Sequence, residues 1–446
     1  MGGKAAIILI LGFSALMAYT IVNLSSAGTR SVDNMSSYTA MTSSHNMALA
    51  GANVGLARLY RDTTWGTSGA ATITQSFTGF PFNGSFSTTA SLVPQGKLVR
   101  SVSAFPSGGT TYRDTVDVIL VNNGTNSFSL FAWMTNVENG VFWITGDSIW
   151  GRVHSNDNLT VSGSPVFQQK VTTAKGFIPP VGKTQTIGGN SYTNKAIFIN
   201  PPQPETGVAR INFPTDMSGI ATAASSPNGR KYTTDIWITL DAKSPAAGDG
   251  VAYVRTTQLG PIIDTVHISD PNFNGVIMGT GVVNVQGTLD GPLTIASYST
   301  ASATTNNIVI QGDLLYQHDP TVGTSNDMLG LVANNSVIVA DDIAGATNRT
   351  IQGSVFARTG SFTAQNYATR PVNGDLRVLG SIVQNTRGPV GTFSGSSTIV
   401  SGFYKRYKYD NRLSDPNVRP PFYPGFVKNS YDITQWWESY HIMGNN

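Results

Sequence analysis

Four consecutive polar side chains, His154, Ser155, Asn156 and Asp157, sit between apolar stretches and have the strongest claim to chemistry. An imidazole, a hydroxyl, an amide and a carboxylate side by side suit a metal ion or the hydroxyls of a sugar. The same residue types also make chain corners, where they hydrogen-bond to turn backbone. We read the cluster as a corner. The histidines His45, His154, His267, His318 and His441 are scattered and form no His-Glu-x-x-His pair, so no metal-ligand set is read. No Gly-x-Ser-x-Gly elbow is present. Gly182-Lys183-Thr184 lies one residue too far from Gly176 for a phosphate loop, and Pro179 and Pro180 lack the amides such a loop needs. Asp341-Asp342 is read as a solvated loop rather than a calcium site. No residue is assigned a catalytic role, and no cofactor is implied.

Composition narrows the classes further. The 446 residues leave room for two or three domains. A net charge of +3, with 12% charged residues, is too weak a balance to argue for nucleic acid. Cysteine is absent, which removes thiolate chemistry and disulfides together. The 47 glycines suit a β-rich body with many turns.

The element that positions everything else is N-terminal. No charge occurs from Ala5 to Thr29, and no proline before Pro81. One helix is expected over 1–62, roughly 85–90 Å long at ~1.5 Å per residue. Its part at 5–29 is long enough to cross a bilayer core. Its part at 30–62 is read as amphipathic, with Met35, Tyr38, Thr42, His45, Leu49, Ala52, Leu56 and Leu59 on one face. Gly12, Ala15, Ala18 and Gly28 permit close helix approach, and Gly51 and Gly55 do the same farther along, toward another helix or the protein's own sheet. Asn23–Thr29 is the weakest helical stretch. Lys4 is the one charge before the span, so the short tail is expected to stay cytoplasmic and the remainder to lie outside. A cleaved signal peptide is the competing reading of the apolar run.

Residues 63–135 alternate apolar and polar, as in Lys97–Ser103 and Tyr112–Val121, and are read as an antiparallel sheet packed on the helix. From 136 to 402 one phrase recurs: Val161-Ser-Gly163, Val285-Gln-Gly287, Ile310-Gln-Gly312, Ile351-Gln-Gly353 and Val378-Leu-Gly380. Separations of 25 residues (287 to 312) and 27 (353 to 380) match one turn of a parallel β-solenoid, with Val285, Ile310, Ile338, Ile351 and Val378 stacked inward. An insertion at about 175–256 breaks the phrase. The expected fold class is mainly β with one long N-terminal α-helix, comprising an antiparallel β-sheet head and a parallel β-solenoid. The arm 403–446 has eleven aromatics among its 44 residues. It is expected to be buried without regular secondary structure, folded on the protein's own body or docked on a neighbour.

The run from His45 to Leu59 (HNMALAGANVGLARL) resembles the segment that precedes the globular domain in type IV pilin-like, pilus-assembly-type proteins. Trp150–Asp157 followed by Val161–Phe167 resembles a motif of that family, which makes His154–Asp157 the family-motif turn. Tyr409–Leu413, Pro420–Pro424 and Trp436–Glu438 resemble its C-terminal signature, with Tyr409, Arg412, Phe422, Tyr423, Trp436 and Trp437 as the arm's contact residues. Two features depart from familiar major pilins: no acidic residue precedes Asp33, and Gly2-Gly3 before Lys4 is at most a remnant of a basic leader. The resemblance implies a homo-oligomeric helical filament on the cell surface. Its subunit would be a single-pass inner-membrane protein before assembly and would be handled by a pilus assembly machinery. Two alternatives stay open: a low-copy initiating or tip adhesin, and a membrane-anchored β-helix protein that binds or degrades polysaccharide. Aromatics at a subunit contact favour a filament, and aromatics lining an open groove favour a carbohydrate ligand.

Overall fold

The computed structural model describes residues 2–79, 83–94, 96–121, 125–242, 250–301, 305–341, 348–395, 398–415, 417–427 and 431–439. The chain is mainly β with one long N-terminal helix, and it contains both antiparallel and parallel sheets. It divides into two compact units, one of residues 1–123 with 430–446 and one of residues 124–429.

In the first unit a single helix runs from Gly2 to Arg61. It passes through Asn23–Thr29 without a break, and Thr29 Oγ1 bonds back to the Ser25 carbonyl at 3.0 Å. Arg58 and Arg61 in its last turn suit the negative end of the helix dipole. The stop is built by Asp62, whose Oδ1 takes the Thr64 amide at 3.1 Å and the Thr64 hydroxyl at 2.6 Å. The turn that follows is held by Lys97. Its buried ammonium donates to the Thr63 carbonyl at 2.9 Å, the Trp65 carbonyl at 2.7 Å and Thr67 Oγ1 at 3.0 Å. Burial pushes the Lys97 pKa below its ordinary value, partly offset by Asp62.

The sheet of this unit is antiparallel, in the order Ala71–Phe77, Gly84–Val93, Gly96–Ser107, Thr115–Val121, Asp432–Ser439. Val99, Ser101 and Ser103 alternate inward along Gly96–Ser107 and meet the helix. The helix face they meet overlaps the one read from the sequence, with Ala52 and Leu59 buried and His45, Leu49 and Leu56 half-buried, but it starts later and takes in smaller residues. Met35, Tyr38 and Thr42 are exposed, whereas Ala40, Ser44, Ala48, Gly51, Ala52, Gly55 and Leu59 are buried. Small residues win this face because a flat sheet lies directly against the helix backbone. The face is also partly polar: Ser44 Oγ sits 2.7 Å from Ser103 Oγ, and His45 Nδ1 sits 2.8 Å from Asp114 Oδ2. The arm also departs from expectation, since Asp432–Ser439 is a regular strand pairing with Thr115–Val121. Its aromatics carry β propensity, and the neighbouring strand offers an open row of amides and carbonyls.

The second unit stacks parallel coils. Along one side Val276–Gly279, Pro292–Ser297, Met328–Ala333, Arg349–Ala357 and Val372–Thr386 lie in parallel register. Trp133–Val137 then adds to Val372–Thr386, and Val153–Ser155 and Val171–Thr173 continue beyond it. The earliest strands of this unit thus stack on its latest. Val285, Ile310, Ile351 and Val378 are buried in one continuous core. Ile338 is half-exposed, and its neighbours Val337 and Val339 point inward instead, as the two-residue period of a strand requires. The segment 207–229 lies against the outside of the stack. Ile211, Met217, Ile220 and Ala223 pack with Met134, Val383, Phe356, Val332 and Val276. Thr398–Tyr409 is a strand on Val372–Thr386, so the start of the arm belongs to the coils.

Candidate functional site

The family-motif turn closes a corner between Val153–Ser155 and Asn158–Ser162. All four side chains are committed to the protein itself. His154 Nδ1 lies 2.8 Å from Thr172 Oγ1, and its Nε2 lies 3.0 Å from Asn156 Oδ1. Asn156 clamps the backbone of Ile211 from both sides, donating to its carbonyl at 2.7 Å and accepting from its amide at 2.8 Å. Ser155 Oγ accepts the Asp157 amide at 3.1 Å, and Asp157 Oδ1 pairs with Lys175 Nζ at 2.6 Å. Burial lowers the His154 pKa from 6.5 to about 4; the Asn156 bond opposes the shift and the nearby Arg210 adds to it. Burial works to raise the Asp157 pKa, but Lys175 and the backbone amides outweigh it and hold the carboxyl below its ordinary value. A neutral imidazole used at both nitrogens has no lone pair to offer a ligand. The geometry is that of a corner that fastens the 207–229 segment to the coils.

A buried ionic group missed in the sequence lies beside this turn. Arg387 Nη1 pairs with Glu138 Oε2 at 2.7 Å, and Lys405 Nζ pairs with Asp147 Oδ2 at 2.6 Å. The Arg387 guanidinium lies 4.2 Å from the Trp143 ring centroid. Burial lowers the Lys405 pKa despite Asp147. These residues are 249 and 258 positions apart, so no local spacing announced them.

Among the described residues Asp290, His318 and Asp327 bring three potential ligand atoms within 4.8 Å of one another. No local spacing signals this group either. Asp342 and His441 lie outside the described residues. Asp341 accepts Asn366 Nδ2 at 2.9 Å. Gly182-Lys183-Thr184 opens the antiparallel hairpin Thr184–Ile187 with Asn190–Thr193, and the Lys183 amide bonds to the Pro180 carbonyl at 2.9 Å.

The helix residues divide sharply. Gly12, Ala15, Ala18 and Gly28 are exposed, with nothing within 4 Å of a Cβ built at Gly12 or Gly28. A Cβ at Gly51 would collide with Ser101 Oγ and come within 2.8 Å of the Phe86 ring; at Gly55 it would lie 2.7 Å from Thr88 and 2.8 Å from Val99. In the arm, Tyr409 is buried and donates to the Ser129 carbonyl at 3.0 Å. Arg412 pairs with Asp410 at 2.7 Å and donates to the carbonyls of Ser325 and Asp327. Tyr423 is buried, while Phe422, Trp436 and Trp437 are exposed.

No family model and no curated protein matches this chain. Among solved structures, it is similar to the crystal structure of the competence-associated pilin ComZ from Thermus thermophilus, at 14% identity and a TM-score of 0.32, covering 90% of this chain and 98% of that one.

Two of the clefts on the second unit bear on a ligand. One of about 1030 Å³ is lined by Phe142, Tyr192, Tyr367 and Phe393 among serines, threonines and asparagines. Phe142 and Tyr192 stack on each other at 4.4 Å, which spends their faces on one another. The other, of about 490 Å³, holds Trp150 among Asp319, Asp375, Arg377, Arg406 and Lys408.

Proposed function

We propose that this chain is a structural, pilin-like subunit of an extracellular filament, held in a membrane by its N-terminal helix before assembly and packed through the same helix afterwards. The observation that carries the reading is the division of that helix. Its last third packs on the sheet of its own unit, whereas Gly3–Ser36 is exposed throughout. The exposed part is long and apolar enough to cross a membrane. Ile7, Leu9, Phe13, Leu16, Tyr19 and Ile21 present an uncharged surface that water disfavours. Two coverings suit such a surface, lipid or copies of itself, and a helix keeps its backbone bonds in either. Gly12, Ala15 and Ala18 supply a small-residue strip for close approach. With no acidic side chain before Asp33, register within a bundle rests on packing alone.

The test is replacement of Gly12 or Ala15 by arginine. A charge in an apolar bundle is costly, so filaments seen by electron microscopy disappear while the variants remain membrane-inserted. Normal filaments from inserted variants, or a native helix that stays single in lipid in the working state, overturn the proposal.

A second reading, a membrane-anchored glycan binder, draws on the 1030 Å³ cleft with its aromatic and uncharged polar lining. Neutral sugars suit such a lining. Saturable binding of an oligosaccharide that Tyr192→Ala removes supports it, and a native chain that retains no sugar refutes it.

A further inference from the structure

The corners of two successive coils meet beside the strands Val283–Leu289 and Ile308–Tyr316. Asp290 follows the first strand, His318 follows the second, and Asp327 immediately precedes Met328–Ala333. The corner is tightly tied. The Gln317 amide reaches the Leu289 carbonyl at 2.8 Å, and the Gly291 amide reaches Asp327 Oδ1 at 2.7 Å. Asp327 Oδ2 also accepts the His318 amide at 2.7 Å. Both carboxylates are wholly buried. Arg412 donates to the Asp327 carbonyl at 2.8 Å and is ion-paired with Asp410.

The imidazole makes this more than an acidic corner. His318 Nδ1 is a buried atom with no hydrogen-bond partner. It points between the two carboxylates, 3.8 Å from Asp290 Oδ1 and 3.5 Å from Asp327 Oδ2. A hydrogen-bonded pair would sit near ~2.8 Å. Ligands of a tetrahedral ion with bonds of ~2.0–2.1 Å lie about 3.3 Å apart. The observed spacings are too long for a shared proton and close to the edges of a coordination polyhedron. One nitrogen with two carboxylate oxygens suits a borderline ion such as zinc better than calcium, which takes oxygen donors. The side chain of His318 is 30% exposed, which leaves a path for entry and a place for water as a further ligand.

We propose that Asp290, His318 and Asp327 form a structural zinc-class site that clips two successive coils and the loop between them. A chain with no cysteine cannot fasten these corners with disulfides, and a divalent ion would supply the missing cross-link.

The full-length, tag-free chain in detergent is freed of metal with a chelator, then equilibrated with Zn²⁺ or with Ca²⁺. Bound metal is counted by elemental analysis, and stability is followed by thermal unfolding. The native chain takes up one zinc, with a Tm raised by several degrees, and calcium does neither. In His318→Ala the metal-free Tm stays close to that of the native chain, because the imidazole makes no hydrogen bond to lose, and both the zinc and its Tm shift disappear. Asp327→Asn keeps an acceptor for a backbone amide and also loses zinc. Absence of stoichiometric zinc in the native chain overturns the proposal. One zinc retained by His318→Ala, or stabilisation by calcium alone, overturns it as well.

Discussion

Arg387 and Glu138 face each other at 2.7 Å, with side chains only 1% and 2% exposed, although 249 residues separate them. The pair joins the end of the strand Val372–Thr386 to the corner after Trp133–Val137, the strand stacked on it. Arg387 also packs over Trp133 and Trp143, so its charge is sealed from water. Removing one partner of such a pair leaves the other buried and uncompensated. Glu138→Ala is expected to cost about 3–5 kcal/mol, read as a lower denaturant midpoint. A Glu138→Ala chain as stable as the native one shows that the pair contributes nothing to closing the stack.

His154 sets an acid limit. The unfolded chain takes up its proton near 6.5, while the folded chain resists until about 4. Between those values the unfolded state holds more protons, so stability rises with pH and is lost as pH falls through the window. The loss is at most on the order of 3 kcal/mol. Urea unfolding between pH 7 and pH 4 measures it, with His154→Gln expected to flatten the profile. An equally steep slope in that variant assigns the acid sensitivity to another group.

Gly51 and Gly12 look alike in sequence and differ in consequence. A Cβ at Gly51 meets Ser101 and Phe86, whereas a Cβ at Gly12 meets nothing within 4 Å. Gly51→Leu should lower stability by about 1–3 kcal/mol or more through overpacking, and Gly12→Leu should leave unfolding unchanged. Thermal unfolding of the two detergent-solubilised variants separates them, and the reverse ranking would contradict the packing described for the helix.

Truncation before Ser430 removes the strand Asp432–Ser439 and uncovers the edge of Thr115–Val121. An uncovered edge offers a row of unpaired backbone groups to other chains. Light scattering is expected to show aggregation of the truncated chain, most strongly on warming. A monodisperse truncated chain with native stability would make this strand dispensable.

Much of the architecture was legible because it is local. An unbroken apolar run without proline specifies a helix, and two-residue alternation specifies strands with a defined inner face. The Val/Ile-x-Gly phrases marked residues that do stack, with Val285, Ile310, Ile351 and Val378 in one core. Ile338 turns outward where the sequence suggests the core, because all three residues of Val337–Val339 are β-branched and apolar and residue type alone does not mark the inner face. The rest depends on which segments meet. Parallel stacking satisfies each strand's backbone whichever neighbour it finds, so nothing in Trp133–Val137 declares that Val372–Thr386 is its partner. The helix face turned on sheet contact: Gly51 and Gly55 go inward because only they let the backbone approach, while Met35 and Tyr38 stay out. His318 carried no signal beside 28 residues of separation from Asp290 and 9 from Asp327. The sequence by itself determined the elements and their apolar faces, because those follow from residue type and period. Only the tertiary structure decided the order of the coils, the buried ion pairs and the Asp290–His318–Asp327 cluster, because these arise where residues distant in the chain are brought within a few ångströms.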